Sequence, residues 1–131
     1  MKKDIHIPKV ENLFLAITLE YNAIFKTDDY YVYLINEKDV DLEMVLIVSK
    51  GFDERKETSK MRHKIEKLPA NSFAKIEWIQ EDVLKLNNEF KVTFFENNKM
   101  FEKNFIVKKG DVKKGSLKGI EMLNKRGFII K

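Results

Sequence analysis

Residues 30–49, YYVYLINEKDVDLEMVLIVS, constrain the fold more than any other stretch of this chain. Two runs rich in aromatic and β-branched residues, 30–35 and 42–48, flank the polar segment Asn36-Glu37-Lys38-Asp39. Such runs favour strands, and a short polar break between them has the composition of a hairpin turn. Both runs are apolar at nearly every position. The expected hairpin is therefore central and covered on both faces, with every other segment packed on it or paired beside it.

The flanking segments extend the same pattern. In residues 10–21, Leu13, Leu15, Ile17, Leu19 and Tyr21 share one parity, with Ala16, Thr18 and Glu20 opposite, which predicts a long strand. Lys26-Thr27-Asp28-Asp29 turns the chain into the central pair. An exposed connection is expected from Ser49-Lys50-Gly51-Phe52-Asp53 through a charged run to Ser59. Residues 61–68 fit an edge strand better than a helix, because Leu68-Pro69-Ala70-Asn71-Ser72 follows at once. A Leu-Pro turn of that kind carries a chain from one sheet of a sandwich to the other. In residues 73–79, Ala74, Ile76 and Trp78 are expected in the core and Lys75 and Glu77 in water. Residues 80–88 predict a single helical turn, and Phe90, Val92 and Phe94 another strand. Glu96-Asn97-Asn98-Lys99 is a tight turn, since Asn tolerates the left-handed conformation that two-residue hairpins need, and residues 101–108 return as its partner.

About seven strands with turn residues between them predict one all-β domain over residues 1–131, an antiparallel β-sandwich. It divides into an arm (1–9), the sandwich (10–109) and a basic tail (110–131). Leu117, Ile120 and Leu123 recur at helical spacing and Gly127 stands as a stop. Residues 115–126 are thus expected to form a short amphipathic C-terminal helix, with 128–130 an apolar plug or added strand. The region 12–19 lacks charge, glycine and proline. As a bare edge it would pair with other chains, so residues 128–130 are expected to dock near it, and a homodimer would form there by edge or face pairing.

The 131 residues are 44% hydrophobic and 35% charged, the balance of a globular chain with a well-solvated exterior. No cysteine is present, which excludes a disulfide framework, a zinc-thiolate site and a cysteine nucleophile. Residues 13–17 are too short for a signal-peptide core and no stretch approaches a membrane span, so a cytoplasmic, membrane-free protein is expected. The net charge of +4 is unevenly spread: 1–102 carry 16 basic and 19 acidic residues, 103–131 nine and two. Asymmetry of this kind marks either a solvated lysine-rich tail or a surface for an acidic partner.

Chemical signatures are sparse. The two histidines are His6, in the arm, and His63, between Arg62 and Lys64, where no carboxylate is adjacent to position an imidazole as a base. No serine has a nucleophile-elbow context, and no glycine-rich phosphate loop occurs. Asp39, Asp41 and Glu43 alternate beside a turn but lack the glycine and ligand number of a calcium loop. No metal or cofactor is expected, and no catalytic set can be assembled. A nucleic-acid surface has more substance. Lys50, Arg55, Lys56, Lys60, Arg62 and Lys64, with His63 and Phe52 for stacking, could join Lys113 and Lys114 of the tail. Asp53, Glu54, Glu57 and Glu66 interleave with them.

Leu13-Phe14-Leu15-Ala16-Ile17, Tyr31-Val32-Tyr33-Leu34-Ile35-Asn36 and Lys67-Leu68-Pro69-Ala70-Asn71-Ser72 carry a likeness. Over roughly residues 10–109 the chain resembles the β-rich domain of unknown function that precedes Smr domains in some MutS2-like bacterial proteins. Ser49-Lys50-Gly51-Phe52-Asp53 and Met61-Arg62-His63-Lys64-Ile65 are similar to small stand-alone bacterial proteins, some labelled phenylalanyl-tRNA synthetase alpha subunit. Arg55, Arg62 and Arg126 are the only arginines and none has a class II synthetase context. The resemblance therefore implies at most an accessory to a tRNA enzyme. The expected function is a non-enzymatic binding or assembly module acting through protein contacts, or alternatively an RNA-binding accessory domain using residues 50–67 and the tail.

Overall fold

The computed structural model of the protein describes residues 9–131; His6 and all but Lys9 of the expected arm lie outside them. The strands are β1 (Leu13–Asn22), β2 (Thr27–Asn36), β3 (Leu42–Phe52), β4 (Met61–Leu68) and β5 (Ser72–Ile79). After a one-turn helix α1 (Glu81–Leu84) come β6 (Asn87–Glu96), β7 (Lys99–Val107), β8 (Lys118–Ile120) and β9 (Lys125–Ile130). They form a five-stranded sheet, β5-β2-β1-β9-β8, and a four-stranded sheet, β4-β3-β6-β7, with every pairing antiparallel. The all-β, two-sheet class is as expected, with nine strands among the described residues rather than seven. No helix among them is long and apolar enough to cross a membrane.

The stretch 30–49 is central, yet it is not a hairpin. β2 pairs with β1 and β5, whereas β3 pairs with β4 and β6. Residues 37–41 cross from one sheet to the other, so the two runs face each other through the core. Val32 and Leu34 join Leu42, Val45 and Ile47, all fully buried, in one cluster. Asn36 pins the crossing. Its Nδ2 donates to the carbonyls of Val40 (3.0 Å), Leu68 (3.2 Å) and Pro69 (3.0 Å), and its Oδ1 accepts from Lys38 N (3.0 Å). One buried amide thus ties this crossing to the next one, the 69–71 turn between β4 and β5, which does step between sheets as its Leu-Pro sequence predicts. The true tight hairpin lies at Asn97 and Asn98, with φ of 50° and 63°, the left-handed pair a two-residue turn requires.

Both faces of β2 are buried, as expected, because Tyr33 and Ile35 on its outer side pack with Ala16, Ile120 and Leu123. β3 is covered on one face only, leaving Leu46 and Met44 exposed.

The C-terminal helix expected over 115–126 does not form. The chain makes 3-10 turns at Lys114–Ser116 and Glu121–Leu123 around β8, then β9 pairs with both β8 and β1. Leu117, Ile120 and Leu123 are all buried, so their spacing did report an inward face. Gly115 and Gly119 weaken a helix there, and the open edge of β1 supplies hydrogen-bond partners that a helix could not use. Gly127 is no stop: a Cβ on it would lie 2.7 Å from the Ile17 carbonyl oxygen, so glycine permits the close approach of β9 to β1. The segment 128–130 docks at β1 as expected. That strand consequently has a neighbour on each side over Leu15–Thr18, and among the described residues the outer strands are β5 and β8 of one sheet and β4 and β7 of the other.

Trp78 is not in the core. Val32 pairs with Glu77 but Tyr33 with Lys75, so Ile76 is an extra residue in β5. A bulge reverses the in–out alternation beyond it. Ala74 and Ile76 pack toward the core before it, Ile79 after it, and Trp78 is turned out, 53% exposed. Trp78→Ala should therefore cost well under the roughly 3–5 kcal/mol of a buried tryptophan. The emission of this sole tryptophan should be red-shifted in the native state, and a denaturant titration reads both.

Candidate functional site

The same bulge builds the most distinctive polar feature of the molecule. Glu77, expected in water, is turned between the sheets, its side chain only 8% exposed. Ser49, on the inward parity of β3, donates from Oγ to Glu77 Oε1 at 2.8 Å. His63, inward on β4, places Nε2 3.1 Å from the same oxygen. The carboxylate absent beside His63 in sequence is thus supplied across the sandwich. The order of contacts differs from that of a nucleophilic triad, because the carboxylate bridges the hydroxyl and the imidazole. Ser49 gives its proton to Glu77, not to a base that would activate it. The arrangement holds a carboxylate in place rather than arming a nucleophile.

Beside Glu77 opens a cavity of about 360 Å³ between the sheets, with Met61, Ile79, Val83 and Phe90 as its apolar lining. Residues 49–52 belong to β3 rather than to an exposed connection. The loop after them folds back, Thr58 N donating to Gly51 O (2.8 Å) and Gly51 N to Thr58 Oγ1 (2.8 Å). A Cβ on Gly51 would stand 3.2–3.3 Å from Thr58, Asn88 and Leu86 atoms. Glycine there keeps this wall close without filling the space.

A second feature lies on the outer face of the five-stranded sheet. Phe25, Tyr31 and Trp78, with Asn22, Thr27 and Asp29, line an open groove of about 540 Å³. Ile24 and Phe25 at the β1–β2 turn are 85% and 73% exposed. Lys75 Nζ sits 3.8 Å from the Tyr31 ring centroid and 3.5 Å from Glu20 Oε1. Glu20 also accepts from Thr18 and Tyr33 hydroxyls, both at 2.7 Å, and meets Lys125 at 3.2 Å. Burial alone would raise the Glu20 pKa, but the Tyr33 and Thr18 hydroxyls, then Lys125 and Lys75, outweigh it and hold it below the ordinary 4.5. A carboxyl depressed in the folded state stabilises above its unfolded pKa and loses that contribution as pH falls through the folded one. Glu20→Gln should therefore flatten the loss of thermal stability below pH 4.5, read by melts across the acid range.

The basic residues expected to act together are dispersed. Lys50 is drawn to Glu57 (2.9 Å) and Glu89 (4.0 Å). Arg55 and Lys56 sit in the loop after β3, and Lys60 and Lys64 are exposed just before and along β4 with Arg62. His63 points away from them, to Glu77. Lys113 and Lys114 stand on the link between β7 and β8, which joins the two sheets. Of the alternating acids, Asp41 accepts from Ala70 N (2.8 Å) and pairs with Lys67 (3.3 Å), so it serves the β4–β5 corner. Among the described residues no three metal-ligating side chains converge.

Glu77 and Ser49 as site residues escaped sequence reasoning, since an extra residue in one strand leaves no mark in alternation when Ile76, Trp78 and Ile79 are all apolar. No protein-family model and no curated protein matches the chain.

Proposed function

We propose that the chain is a non-enzymatic binding module that engages a protein partner through the outer face of its five-stranded sheet, at the β5 edge. The observation that carries this reading is the groove of Phe25, Tyr31 and Trp78, where three aromatic rings line one open surface. Exposed apolar patches rimmed by polar groups mark interaction surfaces, and tryptophan and tyrosine dominate the energetics of such contacts. The likeness to the β-rich domain of MutS2-like proteins fits a module that works by contact rather than by chemistry. The test compares proteins retained from the native host by the wild-type chain and by Phe25→Ala/Trp78→Ala. Loss of a specific partner with an unchanged melting temperature supports the reading; an identical set of partners with both overturns it.

The alternative is RNA binding. Lys60, Arg62 and Lys64 run along the β4 edge and have no carboxylate within 4.0 Å among the described residues. A steep fall in affinity with salt would favour it, because phosphate contacts release counterions. Reversing the charge of Arg62, Lys64 and Lys113 together should then abolish binding while leaving the melting temperature unchanged.

A further inference from the structure

We infer that the cavity beside Glu77 is a binding site for a small organic cation, an ammonium or amidinium group carried on a compact apolar body. This site lies between the sheets and shares only Trp78 with the aromatic groove, and the inference stands whichever partner that groove takes.

Most hydrogen-bonding side chains at the cavity are already committed. Ser49 spends its proton on Glu77 Oε1, and Thr58 spends its own on the Ser59 carbonyl (3.2 Å). Asn88 donates from Nδ2 to the carbonyls of Val83 (2.9 Å) and Leu86 (3.1 Å). Ser59 and Gln80 are exposed residues of the lining, and among its buried side chains two acceptors are left. Glu77 Oε2 receives no hydrogen bond among the described residues, although the side chain is 8% exposed. Asn88 Oδ1, which a Cβ on Gly51 would meet at 3.3 Å, likewise receives none. A carboxylate largely screened from water, with its free oxygen open to the cavity, gains most from a charged donor, since such hydrogen bonds are roughly twice as strong as neutral ones.

The rest of the ligand follows from the walls. Met61, Ile79, Val83 and Phe90 present hydrocarbon and aromatic surface, the mix of apolar lining and few convergent polar groups typical of small-molecule sites. A volume of about 360 Å³ holds on the order of a dozen non-hydrogen atoms, taking a water's share of ~30 Å³ as the yardstick. Ser49 and His63, both bonded to Oε1, fix the carboxylate so that little side-chain freedom is lost when a ligand binds. Anionic ligands are disfavoured by the same carboxylate.

Trp78 borders both the cavity and the groove, so its fluorescence responds to binding at either and amide chemical shifts tell the two apart. The experiment titrates the full chain with benzylamine, benzyl alcohol and benzoate, and locates binding by amide chemical shifts. Benzylamine should bind at about 1 mM or tighter and at least tenfold tighter than benzyl alcohol, with shifts in β3, β5 and α1. Glu77→Gln should remove that tenfold preference. Val83→Phe, which fills the cavity from α1 and keeps the carboxylate, should weaken both ligands. Equal affinity for amine and alcohol, tighter binding of benzoate, no saturable binding, or benzylamine affinity unchanged in a folded variant would each overturn the proposal. If both variants fail to fold, the ranking of the three probes on the native chain decides it.

Discussion

Truncation after Lys125 should convert a folded chain into one that aggregates. The cut removes Phe128, Ile129 and Ile130, which pair with Ile17, Ala16 and Leu15, and Gly127, which pairs with both Thr18 and Lys118. Two losses compound. Among the described residues β8 has no other strand beside it, so Ile120 and Leu123 lose the frame that holds them over Ala16, Tyr33 and Ile35. β1 is stripped of its neighbour over Leu15–Thr18, inside a stretch, 12–19, that contains no charge, glycine or proline to discourage pairing with another chain. Uncovering the second core removes a sizeable share of a net stability of about 5–15 kcal/mol. Light scattering after size exclusion should show large species, and circular dichroism a lower, less cooperative melt. A truncated chain with native size and an unchanged melt would mean that β9 contributes nothing.

The second large effect is expected at Asn36. Its side chain is fully buried and serves three carbonyls and one N–H at 3.0–3.2 Å. Asn36→Ala leaves those backbone groups in a site that offers no replacement, and an unmet buried polar group costs about 1–3 kcal/mol. Because several are stranded at once, a loss of about 3 kcal/mol and a drop in Tm on the order of 10 °C are expected. Asn36→Asp should do no better, since a carboxylate would face the Val40, Leu68 and Pro69 oxygens where an amide now donates. Thermal melts of both variants check this. If Asn36→Asp were as stable as the native chain, the amide would not be the pin between the two crossings.

The two variants probe different sources of order. The truncation tests strand pairing within one sheet. Asn36 tests the tie between sheets, which hydrophobic contact alone does not orient because it is non-directional. The Glu77 cavity depends on the second, since Ser49 and His63 come from one sheet and Glu77 from the other.

Local sequence determined most of the strands and their inward faces. Alternation placed Leu13, Leu15 and Ile17 on the core side, and Asn97-Asn98 wrote a two-residue hairpin whose geometry is purely local. Leu68-Pro69 marked a change of sheet, and Leu117, Ile120 and Leu123 marked an inward face. Tertiary structure decided what those faces met. Two apolar runs joined by a polar link can pair edge to edge or stack face to face, and only the available neighbours choose; β1, β5, β4 and β6 took the edges. A three-residue apolar spacing suits a helix or a pair of 3-10 turns, and the open edge of β1 selected the latter by offering hydrogen bonds to β9. The candidate site was the least legible part. One extra residue at Ile76 reverses which way Glu77 and Trp78 point, and a bulge is set by the register against β2, a strand some 45 residues away in the chain whose pairing shifts between Val32 and Tyr33. Alternation within a segment carries no information about that register, so a carboxylate that reads as solvated became the buried anchor of a cavity.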